Sequence, residues 1–238
     1  MTTMVPPQVR RRIDDYFFAG MSLVVLGTVF LGFGHNYLVA RALHVPPPSA
    51  LILVHGAVFS VWILLLVAQI TLVSAGKVAW HMKLGVLGAF LACLVVVLGV
   101  LAIVEATRRG FAPPGLDAGM FLAVDLGEMA SFALMIAWGL RVRRDGPAHK
   151  RLVILATSVM MYAPVSRWPF VFIRRFPGSI SLIVYVFPVS IIVFDLLTRR
   201  RVHRVTAWGS LLVLVTVPAM FALGHCGFWL NFTEWVRR

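Results

Sequence analysis

The sequence predicts an all-α, polytopic membrane protein of about seven transmembrane helices. Composition comes first: 60% of the 238 residues are hydrophobic, only 13% are charged, and the mean hydropathy is +0.91. Soluble domains average about 25% charged residues and about 45–50% apolar ones. A water-soluble fold of this length has no room to hide so much apolar surface. Run length is the second observation. The apolar residues fall into stretches of roughly 20, the number that crosses a hydrocarbon core about 30 Å thick. Third, these stretches do not alternate polar with apolar and are about twice the length of a barrel strand, which excludes a β-barrel.

The spans are expected at 16–34, 50–74, 83–104, 117–140, 151–170, 179–198 and 206–228. The first follows the basic segment MTTMVPPQVRRRIDDYFF. It is longer than a signal-peptide core and lacks a small-residue cleavage site, so it reads as a retained helix. The fifth is interrupted near its end by Pro164, Arg167 and Pro169. Pro188 and Pro218 should kink the sixth and seventh, each freeing a carbonyl that another group must satisfy. Residues 1–15 then form a cytoplasmic N-terminal segment, 16–228 one transmembrane domain, and 229–238 an outer tail.

The net charge of +13 does not signal nucleic acid, because Lys and Arg lie between spans, where topology places them. With the N-terminus inside, the inner loops hold 14 cations, Arg10 to Arg12, Lys77, Lys83, Arg141, Arg143, Arg144, Lys150, Arg151, Arg199 to Arg201 and Arg204, against 8 outside. That bias predicts N-inside and C-outside. The inner cations should attract anionic lipid headgroups, so the expected partners are the bilayer and those headgroups. Cys93 and Cys226 lie on different spans in no paired motif, which argues against attached haem and a zinc ribbon.

Three inner loops lead into helices with related starts: WHMKLGVLG with His81, AHKRLVILAT with His149 and VHRVTAWGS with His203. Each histidine is followed by a cation within two residues. Either they are interfacial residues beside the belt tryptophans Trp80 and Trp208, or they converge on a metal, a haem or an anionic group. The adjacent cations favour the anionic group over a bare metal.

A second polar level lies in the outer half. His35 ends the first span, His55 enters the second in LILVHGAVFSVWILLLVAQ, and His225 ends the seventh. Asp125 and Glu128, in FLAVDLGEMASF, are spaced i, i+3 and share a helix face. Arg167 ends the fifth span. Ionisable groups at membrane depth usually face a bundle interior. His35, His55 and His225 with the carboxylates suit a transition metal. Asp125, Glu128 and Arg167 suit equally a proton relay in which the guanidinium neutralises a carboxylate. Simple hydrogen bonding between helices is the bland alternative. His55, Trp62 and Gln69 follow at intervals of seven and form one stripe. Gly56 and Gly127 are expected to let backbones approach. Asp195, in VFDLLTRRR, is expected to pair locally with Arg199 at i+4.

Several chemistries are excluded. The last span has no lysine for a retinal Schiff base. No phosphate-binding glycine motif, H-E-x-x-H or G-x-S-x-G occurs, and no selectivity-filter sequence stands out.

His55, Gln69 and the H-x-x-L-G of His81, Leu84 and Gly85 resemble a group of bacterial multi-span membrane proteins. These carry a helix-two histidine, a glutamine near that helix's end and an H-R-x-L-G start to the next. Met82 and Lys83 stand where that group often has arginine after the histidine. The resemblance implies the bacterial inner membrane and no particular activity. A more distant similarity, to haem b membrane proteins, implies haem b or a transition metal as the cofactor. Three functions therefore remain open: a haem- or metal-associated redox or assembly protein, a proton-coupled small-molecule transporter, and a non-catalytic sensor or partner subunit.

Overall fold

The first described element is a helix, α1 (Pro7–Val29), which runs through a π-turn (Phe30–Gly34) into α2 (His35–Ala42). The computed structural model describes residues 7–44, 47–112, 116–176 and 178–238. Residues 1–6 of the expected N-terminal segment lie outside these. There follow α3 (Ala50–Ser74), α4 (Val78–Arg108), α5 (Ala118–Arg141), α6 (Gly146–Val159), α7 (Tyr162–Val165), α8 (Val171–Arg175), α9 (Gly178–Arg199), α10 (Arg204–Gly224) and α11 (Gly227–Arg237). Helices make up 85% of the structure, and no strand occurs among the described residues.

Helix ends follow local chemistry. Ser49, Asp117 and Asp145 each accept a backbone N–H three residues on, at 3.3, 2.8 and 3.2 Å, and so start α3, α5 and α6. Beyond α3 and α4 the chain turns on Gly76 and Gly110, at φ +73° and +67°, a region that only glycine enters cheaply.

Six helices are long and apolar enough to cross a membrane: Arg12–Val39, Ala50–Ser74, Val78–Arg108, Ala118–Arg141, Gly178–Arg199 and Arg204–Gly224. Backbone polar groups closed within such helices are what hydrocarbon requires. Their outer faces are apolar and exposed, as at Leu23, Phe30, Leu64, Phe90, Val97, Leu134 and Leu182. The first crossing helix is longer than 16–34, because the π-turn absorbs an extra residue without ending it. His35 therefore lies inside the helix rather than closing it.

The fifth expected span, 151–170, is not one helix. α6 stops at Val159, and the amides of Met160 and Met161 bond back three residues, to Thr157 and Ser158. Pro164, lacking an N–H for the Met160 carbonyl, prevents the α-helix from resuming its register. Only the single turn of α7 follows. At 1.5 Å per residue α6 is about 21 Å long, short of a hydrocarbon core. Segment 229–238, expected as a tail, forms most of α11. That helix is held by Trp229 Nε1 donating to the Gly119 carbonyl (2.9 Å) and Arg108 Nε donating to the Val236 carbonyl (3.0 Å).

The centre is α5 and α6. In the crossing window of α5, 61% of residues are buried, against 22–39% in the others. α6 is buried from Arg151 onward, apart from a half-buried Val153. Small residues permit this. A Cβ on Gly127 would overlap Met220, and one on Gly209 would stand 2.8 Å from Leu155 Cδ1. Gly56 was expected to do the same, but nothing lies within 4 Å of a Cβ there and the residue is exposed.

A candidate buried carboxylate site at a broken helix

Asp125 and Glu128 lie on the central helix α5, one turn apart, roughly 10 and 15 Å from its start. Glu128 is 4% exposed, and its Oε1 is buried without a hydrogen-bond partner. Both carboxylates lie within electrostatic reach of Arg167. The expected relay trio is therefore one cluster, although Arg167 comes from the end of α7.

The break in the fifth span delivers that arginine. Arg167 Nη1 donates to the Ala163 carbonyl (2.6 Å), satisfying the end of α7, and the guanidinium lies over the Phe33 ring at 5.0 Å. Phe33 belongs to the π-turn. Gly32, in the same turn, packs directly on Pro164, where a Cβ would stand 2.8 Å from the proline carbonyl carbon. Trp168 Nε1 donates to the Thr28 carbonyl at 3.2 Å. Two irregular backbone segments thus brace one another around the carboxylates. Irregular backbone at membrane depth is found where it is enclosed by protein, and π-turns are frequent at functional sites.

Two tyrosines complete the site, and sequence reading missed both. The buried Tyr162 hydroxyl has no hydrogen bond within range, and its polar neighbours are Ser181, Tyr185 and Glu128. Tyr185 donates to the Leu214 carbonyl (3.1 Å), the carbonyl that Pro218 leaves free four residues later. The signal was present in Pro218, since a freed carbonyl in a membrane helix demands a donor. One turn along α5, the Ser131 and Thr216 hydroxyls bond at 2.7 Å. Beyond them the face is dry, with Phe132 and Met135 fully buried and Trp62 edge-on to Phe132 at 5.3 Å. Trp62 Nε1 donates to Thr157 Oγ1 at 3.3 Å.

The histidines do not join the carboxylates. His35 and His225 are exposed, and His225 Nδ1 bonds the Phe221 carbonyl at 2.7 Å. His55 is half-buried against α4, its Cε1 3.5 Å from where a Gly99 Cβ would stand, with Phe59 stacked at 6.4 Å. At the opposite end of α5 two histidines do approach. His81 and His149 have ring centroids 6.4 Å apart, and His149 Nδ1 bonds the Gly139 carbonyl at 2.9 Å. The buried Gln69 Oε1 and His81 Nδ1 near them are unpartnered. His203 stands apart. It caps α10, accepting from the Val205 amide at 3.3 Å. Among the described residues no group of three or more His, Cys, Asp or Glu side chains could hold a metal ion. The expected metal set thus lacks a ligand cluster among the described residues, because histidines at one depth sit on different helix faces.

Asp195 keeps the expected i+4 ion pair with Arg199 but has a closer partner that the sequence did not indicate. Its main partner is Arg151 of α6, both side chains fully buried, with Arg151 Nε donating to Oδ1 at 3.2 Å. Thr206 Oγ1 (2.6 Å) and the His203 amide (3.1 Å) donate to Oδ2. Arg199 Nε stands farther off, at 3.8 Å, while its Nη2 reaches Asp14 at 3.3 Å, which also takes Lys150 at 3.0 Å. This network ties α1, α6, α9 and α10 together at the end opposite Glu105 and α11.

No family model matches the chain, and no curated protein or solved structure matches it. Its class rests on the fold: an all-helical protein with six helices long and apolar enough to cross a membrane.

Proposed function

We propose that the protein is a proton-coupled carrier of a small anionic solute in the bacterial inner membrane. It crosses the membrane seven times, the broken α6–α7 segment making one crossing, with its N-terminus inside and C-terminus outside. The observation that carries this reading is the buried Glu128 carboxylate, its Oε1 unpartnered, beside Asp125, Arg167 and Tyr162, where the fifth span is broken between α6 and α7. Charge supports it. Two carboxylates and one guanidinium sum to −1, and one proton on the pair leaves the cluster neutral. A second proton releases the guanidinium, and a bound monoanion returns the cluster to neutrality, so protons and an anion can share the site. Broken helices at mid-membrane are a recurrent way of building carrier sites. The dry face from Phe132 to Met135 favours a carrier over an open channel. The metal-associated reading has no group of three or more ligands among the described residues, and the adjacent rings of His81 and His149 are what speak for a redox role.

The test is an anion gradient across proteoliposomes holding a pH-sensitive dye, with phosphate, sulfate and dicarboxylates as probes. One of them should drive proton movement in step with its own. Glu128→Gln should abolish the proton component, and Arg167→Gln anion uptake. Correctly inserted protein that moves no protons with any probe overturns the proposal.

A further inference from the structure

The carboxylate site leaves unused a strongly basic concavity at the Asp14 end. A cleft of about 600 Å³ is lined by Asp145, Arg199, Arg201, Val202, His203 and Arg204. Three arginines and one aspartate are among the residues that line it. Arg199 is partly spoken for by Asp14 and Asp195, so Arg201 and Arg204, both exposed, bring its uncompensated charge. The backbone is shaped to hold them there. Arg200 takes φ +56°, a left-handed conformation that costs a non-glycine residue energy. It turns the chain sharply between α9 and α10, so residues 199 and 201 flank one space. The His203 amide is anchored on Asp195 at 3.1 Å, fixing the far side of the turn. Asp145, which also lines the cleft, caps α6 through the Ala148 amide.

The geometry points to a binding site for a phosphate-bearing anion in this cleft, centred on Arg201 and Arg204. Guanidinium forks match the oxygens of phosphate in pairs, and a space of this size takes a phosphate group with part of its substituent. At one end of a membrane-crossing bundle the phosphate has two sources, a phospholipid headgroup and a soluble phosphate.

Calorimetry on the detergent-purified full chain separates the sources, with short-chain phosphatidylglycerol in one arm and inorganic phosphate in the other. Binding in the lipid arm alone assigns a headgroup site; binding in both assigns a general phosphate site. In either case Arg201→Gln/Arg204→Gln should weaken binding by about ten-fold or more, the loss of at least one charge-assisted pair. Arg143→Gln/Arg144→Gln removes the same charge from the neighbouring loop outside the cleft and should leave affinity unchanged. Asp145→Asn keeps the helix cap and should tighten binding. No binding in either arm overturns the site, and so does equal weakening by the two double variants, which would mean diffuse surface charge.

Discussion

Replacing Asp195 with alanine perturbs a charge pair with no exposed side-chain surface. Asp195 and Arg151 are both 0% exposed. The aspartate also receives the Thr206 hydroxyl at 2.6 Å and the His203 amide at 3.1 Å. Alanine therefore leaves a buried guanidinium whose one other hydrogen bond among the described residues is to the Pro147 carbonyl, at 2.9 Å. Breaking a buried pair by removing one partner costs about 3–5 kcal/mol. Leaving the Thr206 hydroxyl without its acceptor adds to the upper part of that range, so about 4 kcal/mol is expected. Asp195→Asn keeps an acceptor for Thr206 and should cost less. Arg151→Met/Asp195→Leu removes both charges while keeping volume, and should recover most of the loss, because well-packed apolar residues often replace a buried pair at no net cost. The assay is reversible unfolding in mixed detergent micelles. An Asp195→Ala cost under about 1 kcal/mol, or a double variant no more stable than the single, would refute the reasoning that the charges are paired and dry.

Two further outcomes follow from the same physics. Tyr185→Phe should cost about 1–3 kcal/mol by orphaning the Leu214 carbonyl, and much less in a Pro218→Ala background, where the restored N–H can reach that carbonyl; equal costs in the two backgrounds in the same unfolding assay would sever Tyr185 from the kink. Burial, then the Arg151 and Arg199 charges, press the His203 imidazole below its ordinary 6.5. The folded state then binds fewer protons than the unfolded one, so the histidine's contribution to stability is full above about pH 6.5 and is lost as pH falls toward the lowered value. His203→Asn, which keeps a capping acceptor, should flatten unfolding midpoints measured across that window.

The residues differ in how far sequence could place them. Asp125 and Glu128 were legible as a pair, since i, i+3 spacing on a helix fixes a shared face whatever surrounds it. Arg167 could be assigned only a depth; the break after Val159, set by Pro164, turns that depth into proximity. His35, His55 and His225 shared the same depth, yet helix rotation sends two outward and one against Gly99. Asp195 had a sequence neighbour of opposite charge at i+4, which made the local pair look sufficient. Arg151, 44 positions away, took the carboxylate because α6 is buried inside the bundle. Buried there, the guanidinium needs a counter-charge, whereas Arg199 has Asp14 as well.

Sequence by itself determined the helical class and an integral-membrane composition, and six of its seven expected spans appear as long apolar helices, because these depend on composition and on runs of consecutive residues. It also marked the fifth span as interrupted. Only the tertiary structure decided that α5 and α6 form the centre, that the π-turn at Gly32 meets Pro164, and that Tyr162 stands beside Glu128. Those facts depend on how helices rotate and which neighbours they take. Small residues at Gly32, Gly127 and Gly209 set that by close contact, and a one-dimensional pattern of hydropathy does not encode it.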